Sequence, residues 1–157
     1  MSQSQINVGG VVKGGLAAGV VITISEFVLN VPVAGEQMNA EFAARNLPPV
    51  STNQIAVFVV LSFLLGVATV WLYAAIRPRL GAGPKTAITA GVFVWACSYL
   101  NISITFGVLG FISMELAILT IVWTLIEMIL ASSVGAYLYK EEAPVPRTAT
   151  RVARRPI

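Results

Sequence analysis

The sequence predicts an all-α integral membrane protein, a bundle of four transmembrane helices with a short periplasmic amphipathic helix. The first observation is composition: 57% of the residues are hydrophobic and 11% are charged, whereas about 25% are charged in soluble domains. The second is the stretch from Thr86 to Tyr139, in which Glu115 and Glu127 are the only charged residues. This stretch is long enough for two crossings of about 20 residues each. A chain in hydrocarbon must satisfy its backbone hydrogen bonds internally, so each crossing is expected to be helical.

The predicted helices belong to one transmembrane domain, residues 1–139. They are placed at residues 8–33, 55–76, 86–105 and 113–139. Pro78 and the nearby glycines predict that the second helix ends before residues 77–85, because proline interrupts helical hydrogen bonding. Gly107 and Gly110 predict the turn between the third and fourth helices, since glycine tolerates unusual backbone angles. Residues 34–52 are expected outside the membrane, partly as the amphipathic helix, and residues 140–157 as a flexible basic tail.

The distribution of cations predicts the orientation of the chain. In a chain that crosses four times, one side carries nearly all of them, namely Lys13, Arg77, Arg79, Lys85, Lys140 and the tail arginines. The opposite side carries only Arg45. Because positive loops stay in the cytoplasm, both termini are predicted to be cytoplasmic and residues 34–52 periplasmic, in a bacterial inner membrane. The net charge of +3 sits beside membrane segments, so the expected partners include membrane lipids and no nucleic acid.

The chain lacks the residues of most metal and catalytic sites. It has no His and a single Cys, Cys97. His is the commonest metal ligand and the usual general base near neutral pH, and one Cys cannot form an internal disulfide or a CxxC pair. Cys97 lies in an apolar run and is interpreted as a packing residue. No HExxH, GxSxG or phosphate-binding loop occurs, so the sequence predicts no enzyme activity, cofactor or metal site.

The polar residues near or within the predicted helices are the candidate functional residues, because ionisable groups inside a bilayer are energetically costly. They are Lys13, Glu26, Asn30, Asn101, Glu115 and Glu127. Their positions predict two layers: an outer one around Glu26 that includes Asn101, and an inner one in which Lys13 reaches Glu127. Each buried carboxyl either belongs to a proton or cation path or holds helices together by hydrogen bonds. No helix is expected to be broken in mid-span, which is the usual sign of a transporter site.

The first helix also carries a face of small residues, the candidate helix-contact residues. They are Gly10, Gly14, Gly15, Ala18 and Gly19. Small residues four apart let membrane helices approach closely. The face predicts either packing within the bundle or a contact with another subunit.

A resemblance to small bacterial four-helix inner-membrane proteins of about this length is carried by three runs of the sequence. They are EFVLN at 26–30, WLYAAIRPR at 71–79 and GPKTA at 83–87. The likeness covers most of the chain up to the tail. No activity is established for that group, so the resemblance implies a bacterial inner-membrane protein and adds no site residue.

Three functions are compatible with these observations. The first is a non-catalytic accessory or assembly subunit of a larger membrane complex, or a small homo-oligomer, acting through helix contacts with other subunits or with itself. The second is a small proton- or cation-coupled transporter that uses Glu26 and Glu127. The third is a lipid- or pigment-binding membrane protein. The surroundings of the glutamates distinguish them: packed helices favour the first, a water-filled cavity the second and a groove for a tail or ring the third.

Overall fold

The computed structural model describes residues 6–140 and confirms the all-α class. Four helices are long and apolar enough to cross a membrane: α1 (Val8–Val33), α3 (Thr52–Leu80), α4 (Pro84–Val108) and α5 (Met114–Leu138). A shorter helix, α2 (Gly35–Ala44), lies between α1 and α3. Large apolar side chains on the outer faces are exposed, among them Leu64 at 60% and Ile126 at 57%. This is the pattern of a multi-pass membrane protein. The predicted flexible tail lies outside the described residues, except for Lys140.

The helix ends differ from the predicted ones where local capping decides them. α3 begins at Thr52 because Ser51 forms a capping box with Gln54, in which the Ser51 N–H donates to Gln54 Oε1 at 2.8 Å. The prediction that α3 ends before residue 77 is wrong, since the helix continues through Pro78 to Leu80. Proline is tolerated there because it lies in the last turn. α4 extends to Val108, and Gly110, with φ of 74°, makes the expected turn into α5.

Glycines set the closest helix contacts. A Cβ atom at Gly15 would lie 2.5 Å from Val67 Cα, and one at Gly66 would lie 2.5 Å from both Gly15 O and Gly19 N. Gly14 faces the backbone of Gly135 in the same way. α1 therefore touches α3 and α5 almost backbone to backbone, and the small-residue face of α1 is used for packing within the chain.

α2 lies across the α4–α5 turn and is attached to it by polar contacts. The Glu41 carboxylate accepts the Ser113 N–H at 2.8 Å, and Arg45 donates from Nη2 and Nε to Gly110 O at 2.7 and 3.0 Å. Burial opposes ionisation of Glu41, but the hydrogen bonds from Ser113 and the charge of Arg45 outweigh it and lower the pKa of Glu41. α2 is therefore fixed by an ionised Glu41 rather than by apolar packing alone.

Candidate functional site

The structure brings Glu26 and Glu127 to one place in the middle of the bundle. α1 and α5 run antiparallel, with Gly14 against Gly135 and Ser25 against Trp123. This register sets Glu127 opposite Ile22, about one helical turn from Glu26. We call Glu26 and Glu127 the acid pair.

Glu127 is enclosed by packed helices. Its side chain is 2% exposed, and neither carboxylate oxygen has a hydrogen-bond partner among the described residues. The Ser25 and Tyr99 hydroxyls and the Glu26 carboxylate are polar neighbours of Glu127. Buried polar groups nearly always have a hydrogen-bond partner. Glu127 is an exception, which makes it a candidate functional residue.

Glu26 is better supplied with donors. Asn30 Nδ2 donates to Glu26 Oε2 at 2.7 Å and to the Glu26 carbonyl oxygen at 2.8 Å. The Tyr99 hydroxyl interacts with both Glu26 and Glu127. Tyr99 is therefore a neighbour of both carboxyl groups, and side chains from α1, α4 and α5 meet at this point.

The indole groups of Trp123 and Trp95 form hydrogen bonds between helices near the acid pair. Trp123 Nε1 donates to Ser25 Oγ at 3.0 Å, and Trp95 Nε1 donates to Thr124 Oγ1 and to the Ile121 carbonyl, each at 3.2 Å. Tyr99, Ser25, Trp95 and Trp123 are not among the residues predicted from the sequence to be functional. A signal was present, because Trp95 precedes Tyr99, and Trp123 precedes Glu127, by four residues, which places each pair on one helix face.

Both α1 and α4 depart from α-helical geometry at this level. Leu29–Val33 and Ala96–Leu100 are π-helical. The first contains Asn30 and Pro32, and the second contains Tyr99. Neither turn interrupts its helix, since α1 and α4 each run unbroken through the π-helical residues, as the sequence predicts. π-helical turns occur often at functional sites, because the extra residue redirects nearby side chains.

The prediction of two polar layers is wrong, since Glu127 joins Glu26. Lys13 is exposed, and the only ion pair within residues 6–140 joins Arg45 and Glu41 at 3.8 Å. The register of α1 on α5 puts Lys13 level with Ala136, about two and a half turns from Glu127, so the predicted contact between them is absent.

The remaining candidates lie away from the acid pair. Asn101 is exposed on α4, and Glu115 is exposed in the first turn of α5. Cys97 is also exposed, which corrects its interpretation as a packing residue. Asn101 is on a different face of α4 from Tyr99 because two residues separate them, about half a helical turn.

An apolar groove of about 520 Å³ runs from Tyr99 toward α2, between α4 and α5. Four aromatic side chains line it: Phe42 of α2, Tyr99 and Phe106 of α4, and Phe111 of the turn. We call it the aromatic groove. Tyr99 belongs both to this groove and to the acid pair's surroundings, so the two features share one side chain.

Within the described residues no group of three His, Cys, Asp or Glu side chains is placed to hold a metal ion. No protein family, curated protein or solved structure matches the chain.

Proposed function

We propose that the acid pair is a proton-binding site inside the membrane and that the protein is a small proton-coupled transporter. The observation that carries this proposal is Glu127, which is fully buried with both oxygens lacking a hydrogen-bond partner and has a second carboxyl beside it. The site needs no covalent chemistry.

Charge inside a membrane is energetically costly. An ionised carboxylate at a helix centre costs about 2.5 kcal/mol or more on insertion scales, and two adjacent carboxylates repel each other. No cationic side chain among residues 6–140 pairs with either member. These costs favour the acid pair as the place where the protein takes up and releases a proton, with the Tyr99 hydroxyl as a polar neighbour of both carboxyl groups.

The same oxygens are also suited to a small cation. Sodium would find two carboxyl groups, the Asn30 amide oxygen and the hydroxyls of Ser25 and Tyr99, all of them oxygen donors of the kind that hard cations prefer. A proton is favoured because Asn30 presents its NH₂ group, not its oxygen, to Glu26.

The accessory-subunit function stays a prediction. The packed helices around Glu127 support it, but its other support is weaker. It relied on small-residue faces that could meet a partner, and Gly14, Gly15 and Gly19 meet α3 and α5 of the same chain. The acid pair is the more specific feature, so the first experiment addresses it.

The test is proton flux in proteoliposomes that contain a pH-sensitive dye. We expect the wild-type protein to respond to a pH step, and Glu127→Gln and Glu26→Gln to fold normally and abolish the response. Glu115→Gln, the same change on an exposed site of the same helix as Glu127, should leave it intact. A sodium gradient in place of the pH step distinguishes the cation alternative. Equal flux in the wild type and in Glu127→Gln would contradict the proposal.

We further propose that the protein lies in a bacterial inner membrane with both termini cytoplasmic, as the cation asymmetry favours. Single cysteines at Gln37 and Ala82, in a Cys97→Ala background, test the orientation with an impermeant thiol reagent applied to intact cells. Gln37→Cys should be labelled and Ala82→Cys should not. The reverse pattern would invert the topology.

A further inference from the structure

We propose that the aromatic groove binds a membrane quinone, with the flat dicarbonyl ring between Ser103 and Thr120 and the isoprenoid tail extending into the bilayer. This site shares Tyr99 with the surroundings of the acid pair, but it uses different polar groups, so the groove would bind its ligand whether or not Glu26 and Glu127 carry protons.

Two side-chain hydroxyl groups that line the aromatic groove have no hydrogen-bond partner among the described residues. Hydroxyl side chains in membrane helices usually donate to a carbonyl of their own preceding turn, as Ser98 does to Val94 O at 2.7 Å and Thr105 does to Asn101 O at 2.9 Å. The side-chain hydroxyls of Ser103 and Thr120 make no hydrogen bond within residues 6–140, although Ser103 is only 4% exposed. Both line the aromatic groove. They lie on different helices, so together they supply donors to two oxygens of one ligand.

The size and the aromatic lining of the groove also suit a quinone ring. The groove volume of about 520 Å³ falls within the range of small-molecule sites, about 300–1,000 Å³. Aromatic side chains stack favourably on a flat ring, and the groove has four of them. Phe106 and Phe111 are in contact with each other, with ring centroids 5.6 Å apart. They are also 42% and 52% exposed, which gives a lipid-soluble molecule access to the groove.

The aromatic groove does not suit a phospholipid headgroup. No charged side chain lines the groove, and the nearest cation of α2, Arg45, is occupied by Gly110 O and Glu41. A phosphate headgroup would therefore lack a counter-charge. A neutral ring with two carbonyl oxygens is matched by two hydroxyl donors.

The experiment measures binding of decylubiquinone, a short-tail quinone, to the protein in liposomes by quenching of tryptophan fluorescence. Trp95 lies four residues from Tyr99, one turn of α4, and so reports on the inner end of the groove. We expect saturable quenching by the wild type. The double variant Ser103→Ala/Thr120→Ala should weaken binding about tenfold, because two neutral hydrogen bonds are lost.

A matched double variant, Thr105→Ala/Ser133→Ala, removes hydroxyls that bond to their own helices and should bind as the wild type does. Phe106→Leu should weaken quinone binding, because the stacking contact with the phenyl ring is lost. Phe106 is 42% exposed, so we expect the variant to fold as the wild type does. Non-saturable quenching by the wild type would overturn the proposal, as would equal affinity of the Ser103→Ala/Thr120→Ala variant. Displacement of the quinone by an equal concentration of dioleoylglycerol, which has carbonyls but no ring, would overturn the assignment of a quinone.

Discussion

The two ends of the bundle are built in opposite ways. At the end where α1 begins and α5 ends, Gly14, Gly15, Gly66 and Gly135 bring helix backbones into contact, with almost no side-chain volume between them. At the end near α2, the helices are separated by large aromatic groups, two helices contain π-helical turns and a groove lies open. The acid pair lies between the two.

The comparison shows where each kind of packing can support function. Backbone contact requires regular helices and leaves no room for a ligand or for movement. The π-helical turns lack such backbone contact between helices. They place Asn30 and Tyr99 next to the carboxyl groups of the acid pair. One end of the bundle is rigid and fixes the helix register, while the other is irregular and presents polar groups. This arrangement is suited to a binding site.

The largest expected effect is at the glycine-packed end. Gly66→Ala places a Cβ atom 2.5 Å from the backbone of Gly15 and Gly19, so α1 and α3 must separate. We expect the free energy of unfolding to fall by about 2–3 kcal/mol, measured by circular dichroism during heating in detergent. Gly9→Ala is the control, because its nearest contact is the Asn7 side chain at 3.3 Å. An unchanged midpoint in Gly66→Ala would show that the helices can move apart freely.

The next effect is at the acid pair and has the opposite sign. Glu127→Met replaces an unsatisfied buried carboxyl with an apolar side chain of similar length. We expect it to raise the free energy of unfolding by about 1–2 kcal/mol, while abolishing proton flux. Glu115→Met, on the exposed surface of the same helix, should not stabilise. If Glu127→Met destabilises instead, the carboxyl holds the helices together and has a structural role.

The smallest effect is at α2 and depends on pH. The pKa of Glu41 is lowered from its ordinary value of 4.5, so its contacts stabilise the docked helix above that pH. The stabilisation is lost as the pH falls through the lower folded value. Amide hydrogen exchange of residues 35–44, corrected for the intrinsic rate, should show protection decreasing below about pH 4.5. Glu41→Gln should remove this pH dependence, and a decrease that persists in that variant would assign it to another group.

Much of the fold follows from the sequence because it depends on composition and local chemistry. Apolar runs of sufficient length must be helical in hydrocarbon, so four helices follow without knowledge of their neighbours. Gly110 identified a turn for a local reason as well, since it takes a positive φ. The end of α3 predicted from Pro78 was wrong, because the energetic cost of a proline depends on its place in the helix. Only Arg79 and Leu80 follow Pro78 in α3.

By itself the sequence determined which segments cross the membrane and which residues are polar within them, because both are properties of single positions and their near neighbours. Only the tertiary structure decided which polar residues meet. Depth counted along separate helices put Glu26 and Glu127 in different layers, whereas the antiparallel register set by Gly14 and Gly135 brings them together. Tyr99 reaches both from a π-helical turn. Register and helix irregularity arise from contacts between helices, and these join residues that are far apart in the chain.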